Sequence, residues 1–390
     1  MSKLMAILQS IKRNLIEHYL FLLLILFSLF SLLFELNSWP TITSAKLNYM
    51  SKQVTKPFFL IKDPTNLIEK LASYMIYFSH LKNFNLIEII FSLITLVNIL
   101  VVYKIFKGWF NQYLGFFSAI VIGSSLIYLY ELRFVNYFGQ LLIILPLFFL
   151  IKNVLNHRQV SNSKLYLISI LAWLIFLTPT GIFYIIILIL TSFKNLKYHF
   201  FEISNLVHKL FLILINLLFL GFNLIVYLVN KSYWMNLTGF NIANLKLLNT
   251  VEAFKNLTVG SHDHNLIIQN LPLLNIFILI MLVLGLCYLI INFKNSNRSR
   301  TLLILFVVSS VITTFNLIAG LIVLTSLSYY IAITGIVYFL QTWLKHFPYN
   351  TLAKILAYSL IIVLISFSTI YSFREFFVVF KYSHDYLTLL

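Results

Sequence analysis

Long apolar runs, separated by short polar turns, occupy most of the 390-residue chain. A helix needs about 20 mainly apolar residues to cross a hydrocarbon layer roughly 30 Å thick. The pattern therefore predicts an all-α polytopic membrane protein with about eleven transmembrane helices in a single transmembrane domain, residues 1–390. The predicted spans are 15–34, 84–106, 113–130, 135–152, 164–178, 180–193, 209–229, 271–292, 301–322, 324–343 and 352–373.

Two neighbouring spans, 164–178 and 180–193, are shorter than the others and are separated by Thr178-Pro179-Thr180-Gly181. Proline and glycine are the strongest breakers of regular structure. We expect these two spans to form a helical hairpin that crosses the membrane only in part. Such a hairpin is tolerated where protein or water covers its tip.

Two polar segments are long enough to form extended loops, residues 35–83 and 230–270. The first contains a weakly amphipathic stretch at 67–81, which predicts helices lying in the membrane interface. The second contains several aromatic residues and the cluster His262-Asp263-His264. Two histidines beside one aspartate do not provide the three well-spaced ligands of a catalytic zinc site. We therefore predict no metal and no other cofactor, although the sequence does not exclude a divalent ion.

Composition supports the membrane class, because 61% of the residues are hydrophobic and only 10% are charged. Soluble domains have roughly 45–50% apolar and about 25% charged residues. The net charge of +17 does not indicate nucleic acid, since membrane topology itself places basic residues beside apolar spans. The single cysteine, Cys287, excludes a disulfide framework and a cysteine metal site.

The distribution of charge predicts the orientation. With the N-terminus inside, the short cytoplasmic loops contain more than half of the 28 Lys and Arg residues, as the positive-inside rule requires. Both long loops and the C-terminus then lie outside, together with most of the carboxylates. We expect a multi-pass plasma-membrane protein whose first span is not cleaved, because no small-residue cleavage site follows Phe34.

The most informative stretch is 128–152, YLYELRFVNYFGQLLIILPLFFLIK, which places Glu131 and Arg133 between two spans. A charged side chain at the centre of a bilayer costs roughly 2.5–3.5 kcal/mol on insertion scales. These two residues are therefore expected at the water boundary. One interpretation is that they only cap a helical hairpin, and the other is that they belong to a functional site.

The order of these features resembles the GT-C glycosyltransferases of the protein-mannosyltransferase and lipid A aminoarabinose-transferase type. A first span and a long outer loop are followed by the turn Glu131-Leu-Arg133-Phe-Val-Asn136-Tyr137 and then by the stretch LAWLIFLTPTGIF at 171–183. In that family, an acidic and arginine-containing turn opens the fourth span, and a stretch of the second kind follows two spans later. The resemblance covers roughly residues 15–193.

The resemblance implies transfer of a sugar from a polyprenyl-phosphate donor to an acceptor on the outer face of the membrane. The base would be a carboxylate, for which the outer candidates are Glu35, Asp63 and Glu131. The donor phosphate and substrate would be bound by cationic and aromatic groups. The candidates for that role are Lys62, Arg133, Tyr137 and Arg374. Arginine suits such a site because its planar guanidinium makes two parallel bonds to phosphate.

Two other functions fit the same sequence. A carrier or flippase for lipid-linked glycans would have ionisable residues or broken helices near the middle of the membrane. A non-catalytic membrane accessory subunit would need no base at all. The expected partners in the first interpretation are the polyprenyl-phosphate-linked sugar donor and membrane lipids, with no nucleic acid.

Overall fold

A computed structural model describes residues 16–30, 84–133, 141–157, 160–200, 206–230, 233–238, 246, 248–260 and 272–379. These residues are almost entirely helical, and no β-strand occurs among them. The all-α prediction is confirmed for this part of the chain. The helices are α1 (Ile16–Phe30), α2 (Phe84–Trp109), α3 (Gln112–Gly123), α4 (Leu126–Arg133), α5 (Leu141–Leu155), α6 (Asn162–Phe176), α7 (Gly181–Tyr198), α8 (Leu206–Val229), α9 (Tyr233–Thr238), α10 (Leu248–Thr258), α11 (Ile276–Ile291), α12 (Asn297–Phe315), α13 (Leu317–His346) and α14 (Thr351–Arg374), and a π-helical turn, Glu375–Val379, follows α14.

Five of these segments are long and apolar enough to cross a membrane: α7, α8, α12, α13 and α14 with its π-helical turn. Five shorter apolar helices accompany them, namely α1, α3, α5, α6 and α11. The chain is thus a helical membrane protein by the length and composition of its helices. The count of eleven spans stays a prediction.

Helix α13 is the centre of the bundle. In its most apolar 18-residue window, 89% of the residues are buried, and it packs against α5, α11, α12 and α14. A helix that is buried on all sides must satisfy its polar groups internally. Thr325 and Ser328 do so, because their hydroxyls donate to the carbonyls of Leu321 at 2.7 Å and Leu324 at 2.8 Å.

Helices α11 and α13 cross closely, with one glycine of each helix against the backbone of the other. A Cβ added to Gly285 of α11 would lie 2.1 Å from the Ile331 carbonyl oxygen. A Cβ added to Gly335 of α13 would lie 2.0 Å from the Met281 carbonyl oxygen. Small residues permit such backbone approach between membrane helices, where dispersion contacts rather than water exclusion hold the pair together.

Two predicted spans differ from the helices that form. The span predicted at 301–322 ends earlier, because Asn316 separates α12 from α13 and its side chain accepts a bond from the Ala319 amide at 3.1 Å. An N-cap of this kind fixes the start of a helix within an apolar run. The span predicted at 113–130 divides into α3 and α4, which meet at Ser124 and Ser125.

The predicted hairpin of α6 and α7 has its tip covered by protein. The Thr180 amide donates to the Leu237 carbonyl of α9 at 2.8 Å, and Thr180 has a φ of 63°. Gly181 is required next to it, since an added Cβ would lie 1.8 Å from the Ile175 carbonyl oxygen. Helix α7 is longer than its predicted span and, at 18 residues, is long enough to cross, so partial crossing is not required for it.

Candidate functional site

The bundle has two ends with different chemistry. At one end, Lys107 of α2 forms an ion pair with Glu17 at the start of α1. Arg298 at the start of α12 joins this end, donating to the Trp109 carbonyl at 3.0 Å and lying 4.9 Å from the centroid of the Trp109 ring. This basic end consists of turns that the sequence analysis assigns to the cytoplasm.

At the opposite end, the last turn of α14 meets three other helices. Phe27 of α1 makes an edge-to-face contact with Phe373 of α14, with 6.1 Å between ring centroids. The Thr369 hydroxyl lies 3.5 Å from the Ser124 hydroxyl between α3 and α4. Helix α4 packs against the π-helical turn Glu375–Val379. This carboxylate end therefore contains the end of α1, the helix that finishes at Arg133 and the segment that begins after Arg374.

The predicted site residues relate to this end as follows. Arg374 is exposed at the last residue of α14, and Glu131 and Arg133 lie in the last turn of α4. The other predicted site residues, and the predicted interfacial stretch 67–81, lie outside the residues that the structure describes. They are Glu35, Lys62, Asp63 and Tyr137. The roles assigned to all seven residues stay predictions.

Glu375 is the residue at this end that sequence reasoning undervalued. It lies two residues beyond the predicted end of the last span at 373, so the sequence alone indicates a boundary residue. The π-helical turn instead buries it, leaving Glu375 7% exposed, beside Phe376 and the ring stack of Phe373 and Phe377 at 5.4 Å. The run Phe-Phe-Val-Val after Glu375 is the sequence signal for this burial. Buried carboxylates are rare because their desolvation is costly, and they often mark functional sites.

Lys152 is the other buried charged side chain among the described residues. It lies in the last turn of α5, 5% exposed, and donates to the Thr301 hydroxyl of α12. The Thr301 hydroxyl donates in turn to the Asn297 carbonyl at 2.8 Å. This chain of hydrogen bonds joins α5 to α12 at the basic end.

Removing the acceptor of Lys152 is expected to destabilise the protein. Thr301→Val keeps the shape of the side chain but leaves a buried ammonium without this partner, which costs about 1–3 kcal/mol. The measurement is the melting temperature of the purified protein in one detergent. Thr301→Ser retains the hydroxyl and serves as the matched control. An unchanged melting temperature for Thr301→Val would show that the hydrogen bond from Lys152 to Thr301 does not stabilise the protein.

A side cavity of about 580 Å³ lies between α6, α7 and α8, with α5 at its base. Its lining is almost wholly apolar. Four of its lining side chains carry polar groups: Ser169, Trp173, His199 and Asn216. The Ser169 hydroxyl and the Trp173 indole both donate to the Asn216 side-chain oxygen, at 3.1 and 2.9 Å. These bonds hold α8 against α6 and leave the cavity surface suited to a hydrocarbon chain.

No protein-family model matches the chain, and no curated protein matches its sequence. Within the described part of the chain, no three His, Cys, Asp or Glu side chains are grouped so that they could hold a metal ion. The membrane class therefore rests on the length and composition of the helices.

Proposed function

We propose that the protein is a membrane glycosyltransferase that moves a sugar from a polyprenyl-phosphate donor to an acceptor on the outer face of the membrane. The observation that carries the proposal is the contact between α4 and the turn Glu375–Val379. This contact joins two segments that are more than 200 positions apart in the sequence. In sequence, α4 contains Glu131 and Arg133, and the turn begins at Glu375, directly after Arg374 at the end of α14.

The first helix adds a third segment to the same end. Phe27 lies within 6.1 Å of Phe373, measured between ring centroids, and Glu35 follows the last described residue of α1, Phe30, by five positions. Glu35 itself lies outside the described residues, and its role as the base is part of the proposal.

The transfer requires few groups. The acceptor oxygen or nitrogen attacks the anomeric carbon of the sugar and forms the new bond. The bond from that carbon to the phosphate oxygen breaks, and the polyprenyl phosphate leaves with the electron pair. The acceptor proton passes to a carboxylate, for which Glu35, Asp63 and Glu131 are the candidates. Arg133, Arg374 and Lys62 would stabilise the negative charge that collects on the phosphate, and Tyr137 would contact the substrate.

Sidedness follows from the same arrangement. The basic end carries the turns that the positive-inside rule assigns to the cytoplasm. The carboxylate end then faces outward, with the donor chain in the membrane and its phosphate at the water boundary. The plasma membrane is the location proposed for the protein, with the N-terminus in the cytoplasm and the C-terminus outside.

The test is a transfer assay. Purified protein in lipid vesicles is incubated with a polyprenyl-phosphate sugar and an extract of cell-envelope acceptors, and released polyprenyl phosphate is quantified by mass spectrometry. We expect release that depends on both protein and acceptor. Release no greater than that with heat-treated protein would contradict the enzyme. Movement of intact donor across the vesicle membrane without release would identify a carrier instead. The absence of both release and movement would favour an accessory subunit.

A further inference from the structure

The side cavity runs along the membrane-facing part of three helices. Along α7 and its C-cap residue His199, the lining residues extend from Ile185 to His199, which is about 21 Å at 1.5 Å per residue. One leaflet of the hydrocarbon core is roughly 15 Å deep, half of ~30 Å. The neighbouring residues Leu190 of α7 and Leu214 of α8 are 73% and 52% exposed, as expected for surfaces in contact with lipid. The cavity is therefore long enough for a chain that enters from one leaflet.

A buried polar group lies where the cavity approaches the basic end. His199 lines the cavity and is 2% exposed. Its Nε2 donates to the Leu155 carbonyl at 2.9 Å, because a carbonyl can only accept. Its Nδ1 has no hydrogen-bond partner within the described part of the protein. An unpaired buried nitrogen is costly, so a polar group of a bound molecule would stabilise this position.

Two exposed lysines lie next in sequence to lining residues at this end of the cavity. Lys164 is exposed beside the lining residue Leu165, and Lys197 is exposed between the lining residues Leu196 and His199. The first turns of α6 and α8 are held together there, since the Tyr166 hydroxyl lies 2.5 Å from Nδ1 of His208. Helices α6, α7 and α8 contain no acidic residue, and the nearest one in sequence, Glu202, lies outside the described residues.

We propose that this cavity binds one anionic glycerophospholipid, with an acyl chain between α6, α7 and α8 and the phosphate beside Lys164 and Lys197. A hydroxyl group of the lipid would donate to Nδ1 of His199, which can only accept because the proton is on Nε2. Charge complementarity selects the ligand, because basic pockets between membrane helices on the cytoplasmic side attract anionic headgroups. The site lies at the end of the bundle opposite to the proposed transfer site, and lipid binding here does not depend on the proposed enzyme activity.

The experiment measures lipid retention by native mass spectrometry. Delipidated protein in a neutral detergent is mixed with phosphatidylglycerol or with phosphatidylcholine that has the same acyl chains. We expect one phosphatidylglycerol to be retained in clear preference to phosphatidylcholine. The double variant Lys164→Gln and Lys197→Gln should reduce that preference by about tenfold or more, since each lysine near an anionic lipid surface adds roughly a factor of five.

Two further variants separate the headgroup from the chain. Lys345→Gln with Lys354→Gln removes the same charge from the end of α13 and the start of α14. Neither residue lines the cavity, so the preference should stay unchanged. Ala172→Phe fills the cavity and should reduce retention of both lipids. If the Ala172→Phe variant does not fold, the smaller substitution Ala172→Leu is used in its place.

Three results would overturn the proposal. Equal retention of the two lipids by the parent protein would exclude headgroup recognition. An equal loss of preference in the control double variant would assign the effect to the general charge of this face. Displacement of phosphatidylglycerol by a polyprenyl phosphate at lower concentration than any phospholipid would show that the cavity belongs to the sugar donor.

Discussion

Gly335→Leu is expected to abolish the folded protein. The added Cβ would lie 2.0 Å from the Met281 carbonyl oxygen and 2.7 Å from the Gly285 amide nitrogen. Both are backbone atoms, which cannot rotate away as a flexible side chain can. Overpacking usually costs about 1–3 kcal/mol, and a clash of two backbones at the central helix should exceed that range. The measurement is the fraction of detergent-extracted protein that elutes as a single species, together with its melting temperature.

A matched glycine exists on the outer surface of the bundle. Nothing lies within 4 Å of a Cβ added to Gly221 of α8, so Gly221→Leu should behave like the parent protein or be slightly more stable, because glycine is a poor helix former. If Gly335→Leu melts at the same temperature as Gly221→Leu, the close crossing of α11 and α13 is wrong.

Arg133→Lys is expected to lose most transfer activity while expression and folding remain intact, and Arg133→Ala is expected to lose more. Lysine retains the charge but not the planar fork that makes two bonds to a phosphate. A hydrogen bond to a charged group contributes roughly 1.5–3 kcal/mol, which corresponds to at least about a tenfold lower rate for the alanine variant. The measurement is the rate of polyprenyl phosphate release at saturating donor.

The control for Arg133 is an exchange with Glu131. If the two residues only form a pair that holds the end of α4, the variant Glu131→Arg with Arg133→Glu should transfer sugar almost as well as the parent. If Arg133 binds the donor phosphate, the exchanged variant should be as impaired as Arg133→Ala. Parent-like transfer by the exchanged variant would therefore reject the phosphate-binding role.

Hydropathy predicted the positions of most described helices, because each apolar run has to be buried in protein or has to face hydrocarbon along its whole length. It predicted α12 and α13 as separate spans but placed their boundary at 322–324 rather than at Asn316, since Asn316 is a single polar residue within a long apolar stretch. Its side chain starts α13 by accepting a hydrogen bond from the Ala319 amide. Hydropathy could not distinguish α13, which is buried on all sides, from lipid-facing α8, of which only 17% of the most apolar window is buried. Both helices are apolar throughout, so their difference comes from packing.

The candidate site was harder to predict because its residues come from distant segments. The charged turn at Glu131 and Arg133 is conspicuous in the sequence, since it places a carboxylate and a guanidinium together between two spans. Glu375 resembles an ordinary boundary residue until α14 continues into the π-helical turn that buries it. His199 gives no sequence signal at all. Its unpaired nitrogen follows from the packing of α7 against α5, which places Nε2 at the Leu155 carbonyl.

The most direct measurement of where the donor binds is photochemical cross-linking. A polyprenyl-phosphate sugar with a photoreactive group on the first isoprene unit is irradiated with the protein in vesicles, and the labelled peptides are identified by mass spectrometry. We expect labels in α4 and in the segment from Arg374 to Val379, with competition by unmodified donor. Labels confined to the basic end around Lys152 and Arg298, or labelling that unmodified donor does not reduce, would contradict a donor site at the carboxylate end.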